Sequence, residues 1–413
     1  MFYLLNDAPI KYAYIDPGTG SMLLTILVGA LSVLSFSFRS LFNKVRILPK
    51  KKVSHEKEAF TIYTDSKRYW NTFKSICDEF EKNKINISYL TQSEDDPVFL
   101  MDYEYVRPEF IGEGNRAFSR LNYLNSDFLL STTPSLDVYQ WKRSKDVRWY
   151  VHIPHACSDI TLYRLYGIDY YDAILTSCSF QIDQIRKLEE FRKLPAKETV
   201  IVGLAYFDEM KKRLDSYPKK KNDIPVVLLA PSWGPSSLLN RYGEELINSL
   251  IDTGYQIIIR PHPQSFVSEK ELIDHLMNKY PDIIWNRDND NFDVLYKADI
   301  MVSDFSGVIF DFAIVFDKPV VYSNYEFDDS VYDAHWLNEK TWTETILPEI
   351  GRELKRDDFL RIKEVIDDCL TDDKYSNGRK KAKSESWANQ GNSAKAIFEY
   401  MVLKEKEING LKA

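Results

Sequence analysis

Two series of short Val-, Ile- and Leu-rich runs, alternating with helical stretches, constrain this chain more than any other feature. In the first series, residues 60–63, 85–90, 127–131, 148–153, 173–177 and 199–203 read as strands. Helical patterning fills 68–82, 181–192 and 208–214 between them. Residues 216–224 then form a polar, Pro- and Lys-rich break. A second series follows, with strands at 225–230, 255–260, 283–285, 299–303 and 319–323 and helices at 241–253, 269–279, 292–297 and 307–316. Strands that are apolar on both faces need cover on both, which parallel sheets obtain from their crossover helices. The expected architecture is α/β, with Rossmann-like domains at 53–215 and 224–400 facing a cleft and a separate segment at 1–52. Ligands of such sheets bind outside the carboxyl ends of the strands, so polar residues at strand exits are the candidate site.

Composition narrows the class. Hydrophobic residues are 44% and charged residues 28% of the 413. This is a soluble globular balance that excludes a disordered chain, a collagen-like repeat and a polytopic membrane protein. The four cysteines, Cys77, Cys157, Cys178 and Cys369, are too scattered for a disulfide framework or a zinc ribbon. The net charge of −8 is uneven: residues 1–52 hold seven basic and two acidic residues, a net +5, which leaves −13 on the remainder. An acidic body argues against a nucleic-acid partner. Residues 21–38 carry no charge and the basic cluster at 39–52 follows them. That order predicts a membrane anchor, single-pass or peripheral, with the large domain on the cytoplasmic side.

Three strand exits carry chemistry. The first is Arg260-Pro261-His262-Pro263, where the prolines stiffen the exit. Arg260 can hold a phosphate bidentately and His262 can donate a hydrogen bond or a proton to it. The second is Ser303-Asp304-Phe305-Ser306-Gly307, opening a helix. Ser306 can cap that helix or donate to a phosphate, Gly307 lets a ligand approach the backbone, and Asp304 can cap or accept from a ribose hydroxyl. The third is His152-Ile153-Pro154-His155-Ala156-Cys157. The spacing supplies too few ligands for zinc and a cysteine nucleophile needs a partner base. A general base is the better reading, with His155, on the loop, preferred to His152, on the strand.

Together these motifs resemble the CDP-glycerol glycerophosphotransferase family, which includes the teichoic acid primases and polymerases of bacterial envelopes. The resemblance rests on Arg260-Pro261-His262-Pro263 and on Ser303-Asp304-Phe305-Ser306-Gly307-Val308-Ile309-Phe310-Asp311 with Lys318-Pro319 beyond it, and it spans about residues 145–400. Two family features differ. Pro154-His155-Ala156 stands where the family has Trp-His-Gly, and Gly203-Leu204-Ala205-Tyr206-Phe207-Asp208 where it has Gly-x-Pro-Arg-x-Asp.

The resemblance implies a GT-B-like fold that binds the donor mainly through its C-terminal domain. It implies transfer of glycerol phosphate, or another polyol phosphate, from a CDP-activated donor to a lipid-linked or glycan acceptor, with CMP leaving; no cofactor is expected, and no acidic metal-binding motif is apparent in the sequence. His155 and His262 would then be catalytic, and Arg260, Ser303, Asp304, Ser306 and Gly307 would bind the donor, with His152 and Asp208 as further candidates. A GT-B glycosyltransferase using a nucleotide sugar shares this logic, and a non-catalytic envelope-assembly scaffold is the alternative outside enzymology.

Overall fold

The computed structural model describes residues 57–218, 222–323, 329–337, 339–372 and 374–410. The expected anchor at 21–38 and its basic cluster lie outside them. No helix among the described residues is long and apolar enough to cross a membrane.

The first sheet has seven strands: β1 (Glu58–Thr64), β2 (Ile87–Thr91), β3 (Val106–Phe110), β4 (Asn125–Ser131), β5 (Asp146–His152), β6 (Ala173–Thr176) and β7 (Glu198–Ile201). They run parallel in the order β3-β2-β1-β4-β5-β6-β7. The second has six: β8 (Val226–Leu229), β9 (Gln256–Ile259), β10 (Ile284–Trp285), β11 (Ile300–Ser303), β12 (Val320–Tyr322) and β13 (Gly351–Glu353), parallel in the order β10-β9-β8-β11-β12-β13. In both sheets the chain lays three strands outward in one direction, then returns to the middle and builds the other way.

Each sheet is covered because its helices present apolar faces at helical spacing. Helix Trp70–Lys82 buries Trp70, Phe73, Ile76, Cys77 and Phe80 against Phe60 and Phe128 of the first sheet. Helix Leu238–Ile251 does the same for the second with Leu239, Leu246, Ile247 and Leu250. Two strands escape the apolar-run criterion. Strand β3 carries Arg107, Pro108 and Glu109, all exposed, which fits a sheet edge that can spare a backbone donor. Strand β13 is only three residues long.

The end of the chain does not stay with the second sheet, as the expected 224–400 domain has it. Helix Ser393–Ile408 crosses back and packs Ile397, Phe398 and Met401 into the first sheet's core, with the Phe398 ring 5.0 Å from that of Phe80. Asp208 fixes this crossover. Its carboxylate accepts from Trp387 Nε1 at 2.9 Å and from the backbone N–H groups of Gly391 and Ser393, both at 2.8 Å.

Two further contacts fasten the halves. The Asp159 carboxylate, beyond β5, accepts from the N–H groups of Trp342 and Thr343 at 2.6 and 2.9 Å, at the start of helix Trp342–Ile350. Arg192, at the end of helix Ser179–Arg192, pairs with Asp169 and with the fully buried Asp333, its guanidinium lying against both the Tyr166 and Trp336 rings.

Gly203 permits the crossover. Its φ is +92°, and a Cβ there would lie 2.3 Å from the Ala388 carbonyl oxygen and 2.4 Å from Ser393 Oγ. Gly203→Ala is expected to lower unfolding free energy by at least about 2 kcal/mol. Denaturant unfolding measures it, and an unchanged midpoint would mean the crossover is looser than described.

Candidate active site

A parallel sheet whose strand order reverses leaves a crevice where neighbouring loops diverge. Here the reversals fall between β1 and β4 and between β8 and β11, and the turns beyond them face one another across a cleft of about 360 Å³. The first sheet contributes Arg68, Tyr69, His155 and Ala156, with Tyr206 from helix Ala205–Ser216. The second contributes Ala230 and Pro231, the run from Arg260 to Pro263, Asn289, Asn291, Ser306, Gly307 and Asp311. The walls come close: a Cβ on Gly307 would lie 3.9 Å from that of Ala156.

On the second wall, Arg260 and His262 leave β9 into the cleft as expected. Arg260 Nη1 donates to Asn286 Oδ1, and burial pulls the guanidinium pKa below its usual value. His262 Nδ1 accepts the Gln264 backbone N–H at 3.1 Å. The neutral ring therefore carries its proton on Nε2 and is a hydrogen-bond donor there. Burial, together with the Arg68 and Arg260 charges, lowers its pKa to about 4.

The strand-exit motif after β11 divides into two kinds of residue. Ser306 and Gly307 line the cleft, and the Ser306 hydroxyl has no hydrogen-bond partner among the described residues. Ser303 and Asp304 do not reach it. Buried Ser303 donates to the Ala230 carbonyl at 2.6 Å. Buried Asp304 accepts from the backbone N–H groups of Ser232 at 2.8 Å, Leu238 at 2.9 Å and Phe305 at 2.7 Å. These two residues build the loop after β8 and so shape the cleft without touching its contents. Lys318 is likewise structural. Its ammonium caps the end of helix Phe292–Lys297 through the carbonyls of Leu295, Tyr296 and Ala298.

On the first wall the two histidines separate. His152, wholly buried at the end of β5, bonds Tyr163 Oη through Nε2 at 3.1 Å, and burial lowers its pKa to about 3. It belongs to the core beneath the site. His155 lies in the cleft with Nδ1 3.1 Å from Thr132 Oγ1 and its ring 4.7 Å from that of Tyr69. Assigning the proton to Nδ1, toward Thr132, leaves the Nε2 lone pair free. Burial lowers its pKa to about 4, so the ring is neutral at pH 7. Asp208, at the crossover turn, is not among the residues lining this cleft.

Asp311 lies within the quoted motif but carries no assigned role in the sequence reading. It follows a short helical turn, Val308–Phe310, and opens a π-helical one, Asp311–Val315. Its carboxyl accepts from Tyr206 Oη at 2.9 Å and from Asn291 Nδ2 at 3.3 Å, and burial raises its pKa to about 7. Tyr206 Oη in turn accepts the Cys157 N–H at 3.3 Å, so a short polar chain crosses from one wall to the other. The middle residue of Phe310-Asp311-Phe312, a carboxylate inside an apolar run, was the available signal.

Residues 203–403 match the family described as CDP-Glycerol:Poly(glycerophosphate) glycerophosphotransferase. No curated protein sequence matches the chain. A single-site variant of the wall teichoic acid polymerase TagF is similar in structure, at 14% identity and a TM-score of 0.56, over 95% of this chain and 99% of that one. TagF soaked with CDPG gives 14% and 0.55 over 85% and 90%. The UDP-GlcNAc 2-epimerase of Neisseria meningitidis, bound to UDP-GlcNAc, gives 13% and 0.52 over 84% and 100%. Paired parallel sheets around one cleft, with these neighbours, define a GT-B-like fold. The family match covers residues 203–403, just under half of the chain and the whole of the second sheet, so this part of the chain is similar to CDP-glycerol glycerophosphotransferases.

Asp304 and Ser306 separate framework from contact. Asp304→Ala is expected to cost about 2–4 kcal/mol of stability, because it orphans buried N–H groups. Ser306→Ala should leave stability within about 0.5 kcal/mol and weaken donor binding. Chemical denaturation beside calorimetric titration with CDP-glycerol measures both; a stable Asp304→Ala protein that cannot bind donor would reverse the division.

Proposed function

We propose that the protein transfers a polyol phosphate, glycerol phosphate in the simplest case, from a CDP-activated donor to a hydroxyl of a lipid-linked or glycan acceptor of the bacterial envelope. The observation that carries this reading is the pair of histidines on opposite walls of the cleft, His262 with Nδ1 occupied by the Gln264 N–H and His155 with Nδ1 against Thr132, beside Arg260.

The acceptor hydroxyl oxygen attacks the glycerol-bearing phosphorus. His155 Nε2 takes its proton as the new O–P bond forms. The P–O bond to CMP breaks, and CMP leaves with the electron pair. Charge on the phosphate oxygens is met by the Arg260 guanidinium, by His262 Nε2–H and by the Ser306 hydroxyl. Positioning and electrostatic stabilisation are most of what phosphoryl transfer asks of a protein. A neutral His262 still fills this role, because the Gln264 N–H on Nδ1 leaves the ring proton on Nε2. Asp311 adds a hydrogen-bonding carboxyl at the floor, suited to a hydroxyl of the transferred polyol.

Membrane attachment through 21–38, with the enzyme on the cytoplasmic side, would bring the cleft to acceptors whose headgroups lie at the bilayer surface. Protease added to intact cells should then spare the body of the protein, and its digestion there would refute that orientation.

A donor panel tests the function. CMP should appear from CDP-glycerol or another CDP-polyol when acceptor is present; UDP or GDP from a nucleotide sugar instead would make the protein a glycosyltransferase. His155→Ala should lower kcat at least about tenfold, a loss of about 1.4 kcal/mol or more, with nucleotide affinity nearly unchanged. Arg260→Ala should weaken nucleotide binding. The opposite pattern would exchange the roles of the two walls.

A further inference from the structure

The strand that leads to the base ends in a second histidine that the proposed reaction does not use. His152 closes β5 in register with Ser131 of β4 and Ile174 of β6, so its backbone is fixed by the interior of the sheet. The side chain is fully buried, and its Nδ1 has no hydrogen-bond partner among the described residues. An imidazole with an orphaned nitrogen is costlier there than an aliphatic side chain filling the same space. The bond made by its other nitrogen is what sets the position apart from ordinary core.

That bond goes to Tyr163. His152 Nε2 lies 3.1 Å from Tyr163 Oη, and the two rings meet edge to face at 5.2 Å. Tyr163 is tied by its backbone as well, since its carbonyl accepts the Asp333 N–H at 3.0 Å. Its ring in turn lies 5.9 Å from the His155 ring, inclined at 45°. Burial raises the Tyr163 pKa, and the His155 backbone works against that rise. The same imidazole meets the Tyr69 ring at 4.7 Å and has Nδ1 3.1 Å from Thr132 Oγ1. Side chains from the loops after β1, β4 and β5 thus hold the base, and Tyr163 is the one whose own hydroxyl is anchored to a strand.

We propose that Tyr163 and His152 are positioning residues for the general base: His152, set in the sheet, holds the Tyr163 hydroxyl, and the Tyr163 ring holds His155 toward the cleft. This rests on the transfer reaction proposed above, in which His155 takes the acceptor proton. A base must meet the attacking hydroxyl within hydrogen-bond reach, and a small misplacement of a reacting group is expensive in rate. His155 stands on a loop, and the Tyr163–His152 pair refers its position to the rigid sheet.

The test uses the full chain as wild type, Tyr163→Phe, His152→Leu and His152→Gln, with melting temperatures to show that each variant folds. Tyr163→Phe keeps the ring and removes the anchored hydroxyl. It should lower kcat at least about fivefold, with the Kd for CDP-glycerol and the KM for acceptor changed less than about twofold. His152→Leu should lower kcat similarly, and His152→Gln, whose amide can still meet Tyr163 Oη, should lose less. Histidine-selective NMR follows the His155 ring directly, its signal assigned by its absence from His155→Ala. Burial holds that ring at a pKa of about 4, so the wild-type signal should stay constant down to about pH 5.5. A loosened ring gains water and its pKa moves toward about 6.5. In Tyr163→Phe the signal should therefore titrate above about pH 5.5, and the acid limb of kcat should move up with it. An unmoved His155 signal in Tyr163→Phe overturns the proposal, as does a kcat within about twofold of wild type or a loss confined to CDP-glycerol binding. If wild type turns over no CDP-polyol, the transfer reading fails by itself. The His155 titration then still decides whether Tyr163 holds the ring.

Discussion

The cleft depends on how two sheets are held face to face. Each sheet alone supplies half of a site: the loops after β1 and β5 bring Arg68, Tyr69 and His155, and the loops after β9 and β11 bring the half-buried Arg260, His262 and the Ser306 hydroxyl. Asp159 fixes one rim by accepting the first two N–H groups of helix Trp342–Ile350. Arg192 fixes another through Asp169 and Asp333, and helix Ser393–Ile408 returns the chain's end to the first core. A buried carboxylate deprived of its partner is costly, so these fastenings hold the walls at a defined separation. The Tyr206–Asp311 hydrogen bond crosses the floor between them.

That separation gives the two cleft histidines distinct roles despite similar burial. His262 receives a backbone N–H on Nδ1 and must present a proton on Nε2. His155 sets Nδ1 against Thr132 Oγ1, and with the proton assigned there its Nε2 presents a lone pair. Desolvation keeps both rings neutral at pH 7. His155 can accept a proton from an attacking hydroxyl, and His262 can donate a hydrogen bond to a phosphate. A third ring, His152, shares the sequence neighbourhood but lies in the core, where its Nδ1 has no partner among the described residues.

Much of this was legible in the residues. Doubly apolar strands announced parallel sheets, and Arg260, His262, Ser306, Gly307 and His155 were all found in the cleft because strand exits are where such sheets bind. Ser303 and Asp304 could not be told from ligand contacts, since their partners are backbone groups of a loop more than 60 residues away in sequence. Asp208 was visible in its turn, but its partners at Trp387, Gly391 and Ser393 required knowing that the chain crosses back. Strand β3, with Pro108 and charged neighbours, breaks the apolar rule because an edge needs less burial.

The account stands on the claim that one cleft brings donor phosphates to the second sheet and leaves the first sheet for the acceptor. A crystal structure of the protein with CDP-glycerol tests this most directly. The pyrophosphate should lie against Arg260, His262 Nε2 and Ser306, with the glycerol-bearing phosphorus facing His155 across the cleft. A pyrophosphate held by Arg68 and His155, or a nucleotide outside this cleft, would contradict it.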